Sequence, residues 1–403
     1  MEKSLIKISN RLRWVLLILP MLAFVLGCNK VSLVQHSDTF IKTYKTDTSA
    51  TAISLTQMPD GGFIIISSEG AGQPLMIRTN KYGILQWNKA IQENGFQPFY
   101  ANAFLLADGS NFVAHCQSNI YKFDTLGEIK NSVSIPNPNY LTFDDMSHLG
   151  SDFMLPACSS QFGGASESYI YVYDENLIPV RQDSFKTAGI GGEIFGLSIN
   201  GLSSSGTYNI SGMIYPRVNW TTYDVFKLFS AVIPTKGKVT ETMIDSGDQT
   251  SADIFVPQIL TVDSEEILLG ERFSSTTSIY YPIVVKFDKK LNLIWEKEFP
   301  VLTASINPYS LRLCKDGGFI ISGDIGNTGT LYTQPYILKI DKDGNKQWDK
   351  TITSASLEGS GIFYSGTELI DGSFAFVGSS SQFGKGLNGI RVLFVKTDAN
   401  GNL

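Results

Sequence analysis

The chain has 403 residues, of which 43% are hydrophobic, 12% aromatic and 17% charged, and its formal net charge is -6 at pH 7. The chain is long enough for one large domain or two ordinary ones, and this apolar fraction can fill a sizeable core. The acidic balance argues against nucleic acid as a partner, because binding to a phosphate backbone requires clustered positive charge. The aromatic content and the 37 glycines favour β structure.

The N-terminal segment has the layout of an export signal. Four basic residues lie within residues 3–13, and an apolar run follows over residues 14–27. A basic region, a short apolar region and a small residue before a cleavage point define a secretory signal peptide. A membrane span needs about 20 apolar residues, whereas this run is shorter and is interrupted by Pro20. We therefore predict that residues 1–27 are a signal peptide.

The residues at the predicted cleavage point suggest a lipid anchor. Val25-Leu26-Gly27-Cys28 resembles the bacterial lipobox, in which the cysteine is acylated and becomes the new N-terminus. The resemblance implies lipidation of Cys28 and a place in the cell envelope, at the periplasmic or surface side of the outer membrane. Stable anchoring needs more than one lipid chain, and a bacterial lipoprotein cysteine usually carries two or three. The membrane is thus an expected partner.

A repeated unit made of two strand pairs runs through the rest of the chain. The first pair is a strand, a tight Asp-Gly turn and a second apolar strand. The clear copies lie at residues 58–67, 106–114, 314–323 and 369–378, and weaker copies without Asp-Gly lie at 148–155, 203–210 and 262–270. The second pair is again two strands, joined by a polar turn. The clear copies lie at residues 75–91, 283–299 and 336–352, partial ones at 120–124, 170–174 and 392–398, and the most degenerate at 225–243.

Each unit therefore has four strands, and seven units follow one another with a period of roughly 50 residues. Repeating four-stranded units of this length predict a β-propeller. We expect an all-β, seven-bladed propeller of four-stranded antiparallel blades over residues 37–403, with residues 28–36 as a tether.

The two ends of the repeat array predict how it closes. The last unit stops at residues 398–403, where its fourth strand should begin. Phe40-Ile-Lys-Thr-Tyr44 shares the order bulky, any, Lys, any, bulky with the fourth strands at 87–91, 295–299 and 348–352. We predict that residues 40–44 form the outer strand of the last blade, which joins the ends of the ring and removes an open edge.

The repeats at 316–323 and 338–348 resemble those of Bacteroidetes-type β-propeller lipoproteins, and the resemblance covers nearly all of the mature chain. It implies the propeller fold and export, and says almost nothing about activity. A looser likeness connects the chain to quinoprotein-like propellers, which place a Trp in each outer strand. Only Trp87, Trp295 and Trp348 occupy that place here, so we expect no quinone cofactor.

Motifs of known chemistry are absent from the sequence. There is no Gly-x-Ser-x-Gly elbow, Walker loop or His-Glu-x-x-His. Cys116, Cys158 and Cys314 are odd in number and scattered, so we expect small buried residues rather than a disulfide framework. Residues 341–345 resemble the start of a calcium loop but lack the distal bidentate Glu of an EF-hand. We predict no catalytic residues, no metal and no cofactor.

Loop lengths give the best guide to a ligand site. The connections between second and third strands, and those between units, are the longer and more aromatic ones, and propeller geometry brings both sets to one face. Loops on a rigid scaffold commonly carry function, and exposed aromatics with an Arg suit protein or glycan recognition. The ligand-binding candidates are Arg217, Trp220, Tyr223, Arg272, Tyr280 and Tyr332, with Phe162 and Tyr215 on the same face. The Asp-Gly face is short and repetitive, and we expect little ligand specificity there.

These observations predict a monomeric, non-catalytic binding or scaffold module for an envelope protein or glycan. Two alternatives stay open: an enzyme acting on glycans or peptides, and an assembly factor for outer-membrane proteins. A convergent acid pair in the central funnel would favour the enzyme, and an apolar patch there would favour protein binding. Fold alone does not decide between them.

Overall fold

The structure, a computed structural model, is all-β in the residues that it describes, with no helix among them. Those residues are 38–46, 48–70, 73–91, 102–106, 108–116, 119–136, 141–143, 146–149, 152–159, 167–186, 192–200, 208–219, 222–223, 227–233, 240–244, 253–262, 265–288, 290–327, 332–353, 359–381 and 389–403. Asp38–Leu403 form one compact unit. The predicted signal peptide, Cys28 and the predicted tether lie outside the described residues.

The described strands form seven antiparallel sheets, here named I to VII. The strands of each sheet follow one another along the chain, except that the first described strand, β1 (Phe40–Tyr44), belongs to sheet VII. Sheet I holds β2 (Ala50–Gln57), β3 (Phe63–Glu69), β4 (Gln73–Thr79) and β5 (Leu85–Ala90). Sheet II holds β6 (Asn102–Leu105), β7 (Asn111–Cys116), β8 (Asn119–Asp124) and β9 (Ile129–Ser134). Sheet III holds β10 (Leu141–Phe143), β11 (Ser147–Leu149), β12 (Asp152–Ser159), β13 (Glu167–Tyr173) and β14 (Pro179–Lys186).

The later sheets follow the same plan. Sheet IV holds β15 (Gly192–Asn200), β16 (Tyr208–Asn219), β17 (Thr222–Tyr223), β18 (Lys227–Ile233) and β19 (Thr240–Ile244). Sheet V holds β20 (Asp253–Val262), β21 (Glu265–Ser274), β22 (Ile279–Phe287) and β23 (Leu293–Glu298). Sheet VI holds β24 (Ala304–Leu313), β25 (Phe319–Asn327), β26 (Thr333–Ile340) and β27 (Lys346–Thr351). Sheet VII holds β28 (Gly361–Glu368), β29 (Phe374–Ser381) and β30 (Ile390–Thr397).

The first described strand joins the last sheet. β1 pairs antiparallel with β30, so sheet VII has the order β1-β30-β29-β28. Phe40 lies opposite Lys396 in this pairing, and Trp348 of sheet VI lies opposite Lys339. Lys396 and Lys339 hold the same place in β30 and β26.

The tight turns arise from local hydrogen bonds. Between β24 and β25, Asp316 Oδ1 accepts a bond from the Gly318 N–H at 2.9 Å, and the backbone turns at Gly317 with φ 78°. Such a left-handed residue is most easily a glycine. Between β26 and β27, Asp341 Oδ1 accepts from the N–H groups of Asp343 and Asn345. These Asx-type bonds account for the repeated Asp in the turns.

The sheets pack face to face in chain order. Phe112 and Phe123 of sheet II share a buried cluster with Met58 and Ile64 of sheet I. Contacts continue from each sheet to the next, and sheet VII contacts sheet I. Across that last contact, the rings of Phe63 and Phe394 are 5.0 Å apart. Four-stranded sheets packed in this way are the arrangement of a β-propeller, which confirms the predicted repeat fold. Sheets III and IV differ from the predicted four strands in that each has one further short strand, β11 and β17.

The sheets expose two different ends. The turn face holds the connections from first to second and from third to fourth strand, such as residues 58–62 and 80–84. The loop face holds the connections from second to third strand and between sheets, such as residues 275–278 and 299–303. In sheets V and VI the order of strands thus puts the candidates Arg272, Tyr280 and Tyr332 toward the loop face.

Candidate functional site

The candidates in sheet IV can be placed only in part. Arg217 in β16 lies opposite Tyr223 in β17, so the backbones of these two candidates are neighbours. Tyr215 lies in the same β16 strand. Trp220 and Phe162 lie outside the described residues. The ligand-site prediction in sheet IV stays a prediction.

Sheet V holds two candidates, of which Arg272 forms ion pairs and Tyr280 packs on another aromatic ring. Arg272 Nη1 lies 2.7 Å from Glu296 Oε1 and also ion-pairs with Glu298, and the side chain of Arg272 is 17% exposed. Its charge is therefore balanced within its own sheet. Tyr280 packs on Phe273 with ring centroids 4.9 Å apart, at the end of the β21–β22 hairpin. This aromatic pair belongs to the loop face.

Tyr332 borders a cleft at the loop face of sheet VI. The residue is 55% exposed and lies just before β26. The cleft has a volume of about 520 Å³ and is lined by Val301, Thr303, Ala304, Ile325, Tyr332, Gln334, Thr351 and Thr353. This volume lies in the range of small-molecule sites, and hydroxyl and amide groups around an apolar floor can orient a polar ligand. Tyr332 is the one predicted residue that lines this cleft.

The innermost strands carry a feature that sequence analysis missed. Pro308 pairs with Gly323 and Ser310 with Ser322, so Tyr309 is the extra residue of a β-bulge. Tyr364 is the extra residue of the equivalent bulge in β28. A bulge redirects the side chain of its extra residue. The two rings meet with centroids 5.1 Å apart, across sheets VI and VII.

Glycine opposite the bulge makes this arrangement possible. A Cβ atom on Gly323 would lie 2.1 Å from the carbonyl oxygen of Asn307, which is closer than any side chain tolerates. On Gly378, opposite the Tyr364 bulge, it would lie 1.8 Å from the carbonyl oxygen of Ile362. The bulged strand therefore approaches its neighbour at a glycine in both sheets.

An acidic residue follows that glycine in two adjacent sheets. Asp324 follows Gly323 in β25, and Glu271 follows Gly270 at the equivalent place in β21. Asn307 Nδ2 donates a hydrogen bond of 3.1 Å to Asp324 Oδ2. Asp324 is 1% exposed, and its Oδ1 accepts no hydrogen bond of normal geometry.

These residues form a line across three sheets that we call the inner polar row: Glu271, Tyr309, Asp324, Tyr364 and Ser379. The hydroxyls of Tyr309 and Tyr364 interact with Asp324 and Ser379, the side chains at the same place in their own sheets. Each of these tyrosines also feels the charge of the acid in the preceding sheet, Glu271 for Tyr309 and Asp324 for Tyr364. The motif thus repeats in sheets VI and VII.

Burial controls the protonation of the row. Burial raises the pKa of Glu271 to about 7, with repulsion from the Asp324 charge adding to it. Burial also raises the pKa of Asp324 to about 6, although hydrogen bonds from Asn307 and Tyr309 favour its charged form. The pKa of Tyr309 is raised by burial and by the nearby Asp324 charge. Near pH 6 the row therefore keeps protons that exposed carboxyls have already released.

The inner polar row contains an acid pair, the feature that would favour an enzyme. General acid–base catalysis requires a group within hydrogen-bonding reach of the substrate, and Asp324 is almost completely buried. Aligning the repeats so that Gly270-Glu271 matches Gly323-Asp324 would have revealed this acid pair from the sequence. The bulges that bring the tyrosines to the acids leave no such pattern.

The described residues contain no group of three or more His, Cys, Asp or Glu side chains that could hold a metal ion. Within the same part of the chain, no helix has the length and apolarity needed to cross a membrane. Cys314 is buried and carries a free thiol, in agreement with the expected small buried residue.

No protein-family model matches the chain, and no curated protein matches it. Solved structures match over most of its length at low identity. A protein of unknown function from Bacteroides caccae is 10% identical, with a TM-score of 0.41 over 89% of this chain and 92% of that one. The WD40 domain of SCAP from fission yeast is 12% identical, with a TM-score of 0.40 over 92% and 90%. YCF48 from Cyanidioschyzon merolae is 12% identical, with a TM-score of 0.47 over 88% and 98%. No argument about function follows from likenesses at this level.

Proposed function

We propose that this protein is a lipid-anchored binding module of the bacterial outer membrane, a monomeric seven-bladed β-propeller that holds an envelope protein or glycan at its loop face. The seven sheets would be the blades, and β1 would close the ring as the fourth strand of sheet VII. The pairing of β1 with β30 and the contact between sheets VII and I support this closure.

The cleft beside Tyr332 carries the proposal for the ligand. It is the place on the described loop face where an exposed aromatic ring, three threonines and a glutamine surround one hollow of about 520 Å³. Aromatic rings contribute large contact area at little cost in side-chain entropy, and hydroxyl and amide groups can pair with the hydroxyls of a glycan or the amides of a peptide. This chemistry fits recognition and needs no reacting group.

The test compares Tyr332→Ala with Ile370→Ala, because Ile370 is exposed on the turn face and serves as a matched control. Both proteins and the parent are applied to a glycan array and to a pull-down from envelope extract. Loss of a buried aromatic anchor typically weakens binding by about 2 kcal/mol. We therefore expect about thirtyfold weaker capture by Tyr332→Ala and unchanged capture by Ile370→Ala. Equal capture by both variants would place the ligand elsewhere.

The anchor is tested separately. Cys28→Ala should leave the protein without labelled palmitate and release it from the membrane fraction, since stable anchoring depends on the lipid chains of that residue. A Cys28→Ala protein that still incorporates palmitate would refute the lipobox reading.

The second candidate function is that of an enzyme, favoured by the acid pair of the inner polar row. Glu271, which is partly exposed and has a pKa near 7, would be its proton donor. Glu271→Gln should then abolish hydrolysis of any glycan or peptide that the parent cleaves. If the parent cleaves no glycan or peptide, and Glu271→Gln captures the ligand as well as the parent does, the protein is a binding module and not an enzyme.

A further inference from the structure

The large apolar side chains exposed among the described residues are unevenly distributed. At the loop face they are Phe273, Leu302, Tyr332 and Ile390. More of them lie at the turn face, where adjacent sheets I, II and III each present a pair at the start of the fourth strand. We call these six the apolar belt: Ile84, Leu85, Leu126, Ile129, Ile178 and Val180. Leu126 and Ile178 are 65% and 59% exposed.

The belt follows from the repeat. Each pair sits where a third strand turns into a fourth, beside the Asx-type turns at Asn80, Asp124 and Asp174. Equivalent places in stacked sheets lie at the same height, so the belt is an interrupted row along one rim rather than one pocket. Sheet V repeats it at residues 293–294, both exposed. A flat, extended apolar surface can contact such a row at many points at once.

The start of β1 lies at the same rim. Phe40 pairs with Lys396 near the end of β30, so the chain before residue 40 enters the fold at the turn face. Ten peptide steps separate Cys28 from Asp38, which is at most about 35 Å of extended chain. An eight-residue strand spans about 26 Å, so the tether would use most of its reach merely to cross to the loop face.

We propose that the turn face of this protein lies on the lipid bilayer, with the apolar belt in the headgroup boundary and the loop face directed away from the membrane. This inference rests on the proposed lipidation of Cys28. It also accounts for the repetitive turns, because a bilayer has no fixed shape that a partner must match.

Part of the negative charge at the turn face is balanced within the protein. The turn carboxylates of Asp60, Asp316 and Asp371 are paired with Arg78, Lys339 and Lys396. Beside the belt, Lys130 Nζ lies 2.7 Å from Asp124 Oδ2. Since the protein as a whole is acidic, attraction to anionic lipid does not drive the contact. The contact is driven by burial of the belt's apolar side chains at the membrane interface.

The experiment uses the full lipoprotein in vesicles that contain a nitroxide-labelled lipid. Single cysteines introduced as Leu126→Cys, Ile178→Cys and Leu302→Cys carry a fluorescent dye, with Leu302, 81% exposed at the loop face, as the matched control. The dye-treated parent gives the background from native thiols. We expect at least threefold stronger quenching at positions 126 and 178 than at 302. Quenching should be equal in phosphatidylcholine vesicles and in vesicles with added phosphatidylglycerol.

Equal quenching at the three positions, or stronger quenching at 302, would overturn the proposed orientation. A second variant tests the belt itself: replacing Ile84, Leu126 and Ile129 with Ser should reduce quenching of a dye at 178 at least twofold without changing palmitate incorporation. Concentration-dependent association in detergent that shields the dye at 126 would identify a second copy as the occupant instead. Palmitate labelling reports the anchor independently, so a fully labelled but unquenched protein refutes only the orientation.

Discussion

A Cβ atom on Gly83 would lie 2.6 Å from Cε2 of Phe40, so the ring of the first strand occupies the space that a side chain at Gly83 would need. Phe40 belongs to sheet VII and Gly83 to the turn before β5 of sheet I. The same relationship joins other neighbouring sheets, with the pairs Trp87 and Gly127, Trp295 and Gly344, and Trp348 and Gly401. In these sheets an aromatic ring of the outer strand covers a glycine of the next sheet.

Gly83→Ala should destabilise the protein more than Gly372→Ala. Both glycines have positive φ, 67° and 81°, but nothing lies within 4 Å of a Cβ at Gly372. The left-handed backbone costs an L-residue about 1–2 kcal/mol at either place. Only Gly83→Ala adds the collision with Phe40, about 1–3 kcal/mol for an overpacked contact. Urea unfolding of both variants measures the difference, and equal losses would show that the ring moves aside freely.

Removal of β1 should expose an edge of sheet VII. A chain that begins at Asp47 lacks the partner of β30, and it loses the Phe40 ring that packs on Phe394 at 5.0 Å. Unpaired edges promote association with other chains. A chain that begins at Cys28 should be monomeric and fold cooperatively, whereas the shorter one should aggregate or melt at lower temperature. Size-exclusion chromatography and thermal melting compare them, and identical behaviour would contradict the closure.

Local patterns account for the part of the fold that could be predicted. Alternating apolar residues and Asp-Gly turns identify strands wherever they occur, so sheet VI follows directly from residues 314–352. Phe40 could be matched to Trp348 because each lies two residues before a Lys and four residues before another bulky side chain. Their equivalent pairing, opposite Lys396 and Lys339, depends on that shared spacing.

The acid pair of the inner polar row could have been found by aligning Gly270-Glu271 with Gly323-Asp324, but the tyrosines of the row could not, because their place depends on register. The Tyr309 bulge depends on a one-residue shift between β24 and β25 that no motif marks. The apolar belt was missed for a different reason. Residues such as Leu126 lie in turns that look generic in each single unit, and they form a row only when the units are stacked.

The turn ion pairs should respond asymmetrically to mutation. Lys339 Nζ lies 2.8 Å from Asp316 Oδ2, and their side chains are 5% and 49% exposed. Asp316→Asn keeps an acceptor for the Gly318 N–H but leaves a buried ammonium without its counter-charge, whereas Lys339→Met removes the buried charge itself. We expect Asp316→Asn to lose about 2 kcal/mol and Lys339→Met clearly less.

The control for that prediction is the exposed pair Lys342 and Asp343, 69% and 63% exposed. Surface pairs contribute about 0–1 kcal/mol, so Asp343→Ala should change the unfolding free energy little. Chemical denaturation of the three variants provides the comparison. A larger loss for Lys339→Met than for Asp316→Asn would mean that packing of the lysine stem, and not its charge, dominates.

The inner polar row should make stability depend on pH near neutrality. Burial raises the pKa of Glu271 from its ordinary 4.5 to about 7, so between these values the folded state binds more protons than the unfolded state. The stabilising contribution is therefore complete below about pH 4.5 and is lost as the pH rises through 7. Relative to Glu271→Gln, the parent should lose on the order of 1 kcal/mol between pH 5 and 8, since partial exposure reduces the effect.

Asp324→Asn provides the matched background for this measurement. It keeps an acceptor for the Asn307 amide, whose bond to Asp324 is 3.1 Å long, and removes the charge that repels Glu271. The pH at which Glu271 loses its stabilising effect should then fall, because one of the two causes of its raised pKa is gone. Unfolding free energies of the parent, both single variants and the double variant, measured from pH 4.5 to 8, give the coupling directly. If the parent loses no stability relative to Glu271→Gln as the pH rises, the carboxyl of Glu271 is solvated in the folded protein.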